Sequence, residues 1–361
     1  MKILISVGSL TEGGAERVAA VLANGLADRG HEVVVLTNLR KPITYRLNKK
    51  VRAIDFVKES ILTCWRPTWR FRKVILTEKP DVLLGFGSYQ TLLCKLGQWF
   101  SLQNIPVIYS EHNVLERPRE VGFSLLEKFY KFYFSRICSA MTVLTQADKD
   151  YAGKRLKNLH VMPNPMALTP CESVPVKDKI IIAVGRLNVW YVKGFDLLLV
   201  AWGKISSKYP EWKLQIVGGG SEESRDRIRS FAKQSGCEKS LELIPYTSDI
   251  ASLYQKASIF VLSSRYEGFG LVVTEAMSQG CACIAADFKG RQSEIINHEQ
   301  DGLLCKVESS DAIADNIERL INNQSLRERL QRVGIESSKR FLPELYAERW
   351  ERLLIQLCKK V

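Results

Sequence analysis

The chain opens on an apolar run, Ile3-Leu4-Ile5 with Val7 behind it, that ends at Gly8 and is followed by the pair Gly13-Gly14. From about Ala15 to Asp28, Val18, Val21, Leu22 and Leu26 recur at the i, i+3, i+4 and i+8 positions that turn one helix face to a core. Gly30 follows, where helices commonly end on a left-handed residue. Val33 to Thr37 is apolar without alternation, as in a strand covered on both faces of a parallel sheet. Further strands are predicted at 51–56, 81–85, 106–110, 140–144 and 159–162, separated by helical or basic stretches. Pro163, Pro165, Pro170 and Pro175 then break the periodicity, so 163–178 reads as a linker.

A second alternating set follows. Strands are predicted at 180–183, 213–217, 241–244, 259–262, 281–285 and 302–305, and helices at 194–208, 222–234, 248–256, 273–279, 310–322 and 325–340. After Pro343 a last amphipathic helix carries Leu345, Trp350, Leu353, Leu354 and Leu357. Strand–helix alternation of this kind predicts an α/β protein with two doubly wound sheets. The expected divisions are 1–170, 171–342 and a terminal helix, 343–361, that packs back on the first domain. A cleft is expected between the two halves.

Length agrees, since 361 residues exceed one comfortable core. The composition, 46% hydrophobic and 25% charged, is that of a soluble globular protein. No apolar run approaches the roughly 20 residues of a spanning helix, and no signal-peptide pattern precedes the first strand. The nine Cys, an odd number scattered through predicted elements, suggest free thiols in a reducing cytoplasm. Charge changes the picture more. Of the net +13, residues 1–175 hold +10, with 25 of the 52 Lys and Arg against 15 of the 39 Asp and Glu. A basic half implies an anionic partner: nucleic acid, a phosphorylated substrate or an anionic membrane. No recognition helix or RNA-binding signature accompanies the charge, so nucleic acid is not expected.

Four places carry candidate chemistry. The glycines between Gly8 and Arg17 let backbone approach a ligand, with helix N–H groups behind them for an anion. No complete G-x-G-x-x-G is present, which argues against a nicotinamide site. Ser110-Glu111-His112-Asn113 follows a buried strand, where doubly wound sheets place ligands. Arg186 and Lys193, in Gly185-Arg186-Leu187 and Lys193-Gly194, suit a diphosphate as planar fork and mobile point charge. Glu267 and Glu275 flank a glycine-containing turn with Gly268 and Gly270 that opens a helix. Hydroxyl acceptors there lie beside phosphate-binding N–H groups. Such a carboxylate pair could serve a glycosidase, but its neighbouring turn and cations favour a phosphorylated ligand.

These motifs together resemble glycosyltransferase family 4. The resemblance rests on Gly13-Gly14-Ala15-Glu16-Arg17-Val18, Arg29-Gly30-His31-Glu32-Val33, Ser110-Glu111-His112-Asn113, Pro163-Asn164-Pro165, Gly185-Arg186-Leu187, Lys193-Gly194 and the Glu267–Glu275 segment, in the family's order. It implies the GT-B fold: two Rossmann-like doubly wound domains facing a central cleft. It also implies a retaining transferase without an agreed covalent nucleophile. By position, Arg186 and Lys193 would neutralise the donor diphosphate. Glu267 would hold hexose hydroxyls, Glu275 the ribose, and the N–H groups of Gly270 and Leu271 the distal phosphate. His112 would meet the transferred sugar, and Gly13 and Gly14 would shape the donor–acceptor gap. Tyr246 and Thr247 would lie near the nucleotide base. No metal ion, Asp-x-Asp triplet or cofactor is expected; the nucleotide-sugar is a substrate. Gly290-Arg291-Gln292-Ser293-Glu294 departs from the family's Gly-Gly pattern by its Arg.

The expected reaction moves a hexose or N-acetylhexosamine, from UDP rather than from GDP-mannose, to a lipid-linked, lipopolysaccharide or capsule acceptor. The competing readings are a nucleotide-sugar epimerase and a basic nucleic-acid binding protein. Trp65, Trp69 and Phe71 interleave with Arg66, Arg70, Arg72 and Lys73. Phe129, Tyr130, Phe132, Tyr133 and Phe134 interleave with Lys128, Lys131 and Arg136. Both stretches suggest an anionic membrane surface, approached from the cytoplasmic face. The first is expected to carry the contact. The second is expected to divide between a core helix with solvated cations and a membrane face.

Overall fold

The computed structural model describes residues 1–11, 13–56, 65–117, 122–156 and 158–359. It separates into two compact units, Met1–Ala167 with Phe341–Val361, and Leu168–Arg340.

The first unit is built on strands β1 (Lys2–Ser6), β2 (Glu32–Thr37), β3 (Val51–Asp55), β4 (Val82–Phe86), β5 (Val107–Ser110), β6 (Ala140–Val143) and β7 (Leu159–Val161). They form one parallel sheet in the order β3-β2-β1-β4-β5-β6-β7. The connecting helices are α1 (Gly14–Asp28), α2 (Trp65–Glu78), α3 (Ser88–Ser101), α4 (Leu125–Phe132) and α5 (Gln146–Ala152). Strand β4 is buried at every position because helices cover both sheet faces, so an alternating pattern would leave polar side chains in the core. The apolar face of α1 does what its spacing predicts: Val18, Leu22 and Leu26 are buried. Gly30 ends it at φ 86°, donating to the Ala27 carbonyl.

The second unit repeats the plan. Strands β8 (Asp178–Val184), β9 (Lys213–Val217), β10 (Leu241–Ile244), β11 (Ala257–Leu262), β12 (Ala282–Ala286) and β13 (Leu303–Cys305) pair in parallel as β10-β9-β8-β11-β12-β13. Their helices are α6 (Trp190–Lys193), α7 (Phe195–Ile205), α8 (Glu222–Gln234), α9 (Ile250–Lys256), α10 (Leu271–Ser278), α11 (Ser310–Asn322) and α12 (Gln324–Ser338). The helix predicted at 194–208 is α7 with a 3-10 last turn, and a break at Gly194 separates it from the short α6 that precedes it. The break has a steric cause. Gly194 adopts φ 63°, and a Cβ there would lie 2.0 Å from the Ser263 carbonyl oxygen.

The chain then returns to the first unit. Pro343 occupies the first turn of α13 (Pro343–Cys358), which packs on α1 so closely that a Cβ on Gly25 would sit 2.7 Å from Ala347 Cβ. Glu351 fastens this contact, accepting from Arg29 Nε at 2.8 Å and meeting His31 Nε2 at 2.7 Å. Counted from their own first strand, both sheets run 3-2-1-4-5-6, the first with a seventh strand added, and this order reverses winding direction beside the first strand. In open α/β sheets the strand ends at this switch point are where ligands bind.

Candidate active site

In the second unit the switch point lies between β8 and β11, and the loops leaving both strands are joined there. Lys193 Nζ donates to Glu267 Oε2 at 2.6 Å, with the side chains 17% and 22% exposed. Ser263 Oγ donates to the Lys193 carbonyl at 2.8 Å, and Ser264 Oγ to Glu267 Oε2 at 3.3 Å. Arg265 closes the same junction through Asp196 and the Tyr191 carbonyl. Sequence reading pointed to the cation and the carboxylate but not to their bond, and it missed the two serines and Arg265.

The aliphatic stem of Lys193 lies over Gly185, where a Cβ would be 3.1 Å from Lys193 Cδ. The next residue, Arg186, is exposed, and its side chain has no hydrogen-bond or ion-pair partner among the described residues. Beside it runs Gly218-Gly219-Gly220, directly after β9. A Cβ on Gly218 would fall 1.9 Å from the Gly185 carbonyl oxygen, so only glycine admits this approach. Three consecutive glycines at a strand end were the available signal for this turn. Tyr246, on the loop after β10, is exposed, and its Cβ is 3.6 Å from where a Cβ on Gly219 would be. Thr247 Oγ1 accepts from the Asp249 amide in the same loop.

Gly270 adopts φ 89° as the N-terminal cap of α10, so Leu271 and its neighbours carry the unsatisfied first-turn N–H groups. Glu275, on that helix, is 3% exposed. Gln292 Nε2 donates to the Phe269 carbonyl at 3.2 Å, while its buried Oε1 has no hydrogen-bond partner. Arg291, the residue that departs from the family pattern, is fully buried with its guanidinium 5.1 Å from the Phe288 ring.

In the first unit, Gly13 caps α1 at φ 146°, and its amide donates to Tyr45 Oη at 3.4 Å. His112 stands two residues after β5, its ring stacked on Phe86 at 4.8 Å and 9°. The turn is clamped by Glu111, a buried carboxylate that accepts from the His112 and Asn113 amides at 3.0 and 2.9 Å and from Tyr109 Oη at 2.8 Å. Lys131 on α4 donates to the same carboxylate and is buried with it. Burial pushes Glu111 up, but Lys131 and the donated hydrogen bonds outweigh it and hold the group below its ordinary value. Burial also lowers the His112 imidazole to about 4, against Glu111 and Asn164, which raise it. The ring is therefore neutral near pH 7. A lysine inside the aromatic run at 129–134, with an acid at the end of a preceding strand, was the sequence signal for this ion pair.

The sequence contains one Asp-x-Asp triplet, Asp148-Lys149-Asp150, contrary to expectation. It lies in α5, and Asp148 is a buried structural group, accepting from the Leu115 amide and Thr145 Oγ1, each at 2.8 Å. No cluster of three His, Cys, Asp or Glu suited to a metal ion occurs among the described residues.

Residues 12–169 match the family model described as Glycosyltransferase Family 4, and residues 171–337 the one described as Glycosyl transferases group 1. The chain belongs to the family-4-like glycosyltransferases. The amylovoran biosynthesis glycosyltransferase AmsD of Erwinia amylovora is 27% identical, with 98% of this chain and 99% of that protein aligned. A Campylobacter jejuni enzyme named as an α-1,4-N-acetyl-D-galactosaminyltransferase acting on a diphospho-undecaprenol-linked glycan is 25% identical over 99% of each chain. Among solved structures, Anabaena HepE in complex with UDP and glucose superposes with a TM-score of 0.79 at 19% identity, covering 98% of this chain and 99% of that one. The superposition fits the two parallel-sheet units: the fold is GT-B.

Proposed function

We propose that this glycosyltransferase moves a hexose or N-acetylhexosamine from a UDP-sugar to a lipid-linked glycan, retaining anomeric configuration and working without a metal ion or cofactor. The observation that carries the reading is the Lys193–Glu267 pair at the second unit's switch point, beside the unpaired Arg186 and the N-terminus of α10. The arrangement offers cations and N–H groups for a diphosphate next to a carboxylate for sugar hydroxyls. Arg186 and Lys193 stabilise the charge that develops on the departing diphosphate, and the N–H groups of Gly270 and Leu271 orient its distal phosphate. Glu267 orients the hexose, Glu275 the ribose, and Tyr246 and Thr247 border the base. In the first unit, His112 and the Gly13-Gly14 turn meet the sugar and its acceptor. That HepE is described with UDP and glucose supports a UDP donor. The C. jejuni relative's printed acceptor supports a polyprenyl-diphosphate-linked one.

The enzyme is proposed to act peripherally on the inner face of the cytoplasmic membrane. No helix among the described residues is long and apolar enough to cross a membrane. Exposed apolar side chains support giving the second of the two candidate contact stretches more weight than the first. In the first, the Trp65 side chain lies outside the described residues, Phe71 is fully buried and Arg72 donates to the Phe100 carbonyl, while Trp69 is exposed together with Arg66, Arg70 and Lys73. The second exposes Leu125, Leu126, Phe129, Tyr133 and Ile137, with Leu125 86% exposed and Lys128 and Arg136 in solvent beside them. It is not a core helix. Lys131, expected to be solvated, is the cation buried against Glu111.

The deciding experiment incubates the enzyme with UDP- and GDP-sugars, alone and with a polyprenyl-diphosphate-linked glycan. Transfer from a UDP-sugar only in the presence of acceptor supports the reading. Conversion of the sugar without acceptor would make the chain an epimerase.

A further inference from the structure

Behind the His112 turn, two hydroxyls and an imidazole lie in series. Thr142 Oγ1 on β6 donates to Ser110 Oγ at the end of β5 over 3.1 Å, and Ser110 Oγ stands 2.9 Å from His112 Nε2. Thr142 and Ser110 are 2% and 1% exposed, so water satisfies neither. A hydroxyl carries one proton, and buried donors are almost always paired. Ser110 Oγ already accepts from Thr142, and His112 Nε2 is the remaining hydrogen-bond partner it has among the described residues. If Nε2 carried a proton, the Ser110 hydroxyl would receive two and have no acceptor for its own. An unpaired buried donor costs about 1–3 kcal/mol, enough to set a tautomer.

The other side of the ring agrees. Among the described residues His112 Nδ1 is buried without a hydrogen-bond partner, and so is Asn164 Oδ1, an acceptor close enough to favour the protonated ring. Asn164 raises the imidazole, as an acceptor beside a protonated ring does, and with Nε2 taken by Ser110 the nitrogen left to it is Nδ1. The charged and titratable groups around the turn are Glu111, Lys131 and Tyr109. Glu111 takes its hydrogen bonds from Lys131, Tyr109 and the backbone amides of the turn, so the imidazole nitrogens remain to the hydroxyls and Asn164.

We propose that Ser110 and Thr142 are positioning residues whose hydroxyl relay holds His112 as the neutral tautomer protonated on Nδ1, closing Nε2 and leaving the Nδ1–H as the ring's one donor. An imidazole in water prefers its proton on Nε2, so the relay imposes the less common form. The consequence for transfer rests on the proposed placing of His112 against the sugar; the tautomer itself does not.

The test is a long-range proton–nitrogen correlation spectrum of the ligand-free full chain, labelled at histidine nitrogen, near neutral pH. The His112 signal is identified by its loss in His112→Asn. The expected result is a pyrrole-type Nδ1 and a pyridine-type Nε2. Ser110→Ala should move the ring toward the Nε2-protonated form, while Ser110→Thr, which restores a hydroxyl, should keep the wild-type pattern. A wild-type ring protonated on Nε2 overturns the proposal, even if Ser110→Ala proves unstable. So does a ring still protonated on Nδ1 in a folded Ser110→Ala. Turnover in Ser110→Ala should fall at least about tenfold and recover in Ser110→Thr, as for a misdirected proton donor. A changed tautomer with undiminished turnover would uphold the relay and remove His112 from the reaction.

Discussion

Lys193 and Glu267, 74 residues apart in the chain, form a hydrogen-bonded ion pair of 2.6 Å that ties the loop after β8 to the loop after β11. Each was read from the sequence as a group for a different part of one ligand: the cation for the diphosphate, the carboxylate for the hexose. Their bond keeps both half-buried charges paired. A lone charge in that position would be drawn out to solvent or would lose its place. In the proposed reading a nucleotide-sugar would offer each of them a new partner, phosphate oxygens for Lys193 and hydroxyls for Glu267, without leaving either uncompensated.

Arg186→Ala, Lys193→Ala, Glu267→Ala and Glu275→Ala should each lower kcat/KM by roughly 30- to 1000-fold, equivalent to about 2–4 kcal/mol of transition-state stabilisation. Arg186→Ala should leave the melting temperature unchanged, since its side chain holds nothing else in the described structure. Lys193→Ala and Glu267→Ala should lower it slightly, because each strands the other charge. Near wild-type rates for both Lys193→Ala and Glu267→Ala would remove the proposed donor site.

The proposed retention of configuration and independence of metal can be tested together. An α-linked nucleotide-sugar should give an α-linked product, and EDTA should leave the rate unchanged if, as proposed, Arg186 and Lys193 neutralise the diphosphate in place of a divalent ion. Proton NMR of the product and an assay after chelation check the two parts. A β-linked product, or complete loss of activity in EDTA, contradicts the mechanism.

Much of this was legible before any coordinates. Strands such as Val33–Thr37 and Ile259–Leu262 are continuous apolar runs, and that pattern occurs where both sheet faces are covered. The motifs at Gly185, Lys193 and Glu267 lie at strand ends, so the doubly wound order alone brings them to one edge. What the sequence concealed is contact between distant residues. The run Phe129-Tyr130-Lys131-Phe132-Tyr133-Phe134 has apolar residues on every side, so its periodicity does not say which face is buried. Only the placement of Glu111 opposite Lys131 settles the matter, turning Lys131 inward and Phe129 and Tyr133 outward. The Thr142–Ser110–His112 series was hidden for the same reason, since Thr142 comes from a neighbouring strand 32 residues on.

Acid should weaken the first unit in a specific window. The imidazole of His112 is lowered from 6.5 to about 4 by burial. Between those values the unfolded chain binds a proton that the folded chain does not, so stability rises with pH through the window and falls as pH is lowered through it. The full shift corresponds to at most about 3 kcal/mol, an upper limit for a half-buried residue. Glu111, whose carboxyl is also lowered, adds a loss of the same sign at the acid end. Urea unfolding at pH 7 and pH 5 measures the slope. His112→Gln removes the imidazole and should flatten it; an equally steep fall in that variant would show that other groups carry it.

Membrane contact is tested most sharply at α4. Its exposed residues Leu125 and Phe129 fall at i and i+4 with the C-cap Tyr133 at i+8, Leu126 widens the stripe, and Ile137 adds to it from the 3-10 turn that follows, Phe134–Ile137. A capping box between Ser124 and Glu127 fixes the start of the helix, and the buried Lys131–Glu111 pair fixes its opposite face. The stripe is therefore presented on a held element rather than on a loop. Lys128 and Arg136 lie exposed beside it, each worth roughly 1 kcal/mol near an anionic leaflet, and the aromatic rings suit the interface. Binding should then have two parts, one that salt screens and one that it does not. The protein should co-sediment with liposomes containing anionic lipid at low salt, bind them less at high salt, and bind neutral liposomes weakly. Leu125→Ser with Phe129→Ser should lower the partition coefficient at least about tenfold at either salt, since burying each side chain is worth about 1.5–3 kcal/mol. Because both side chains are exposed, stability should change by less than about 0.5 kcal/mol, and donor binding should not change. Lys128→Glu with Arg136→Glu should remove the salt-dependent part alone. Protein left in the supernatant with anionic liposomes at low salt would end the membrane reading and make a soluble acceptor the better one. Undiminished binding by the double serine variant would move the contact away from α4, to the exposed Trp69 and Phe100 rings, which stand 5.8 Å apart on α2 and α3.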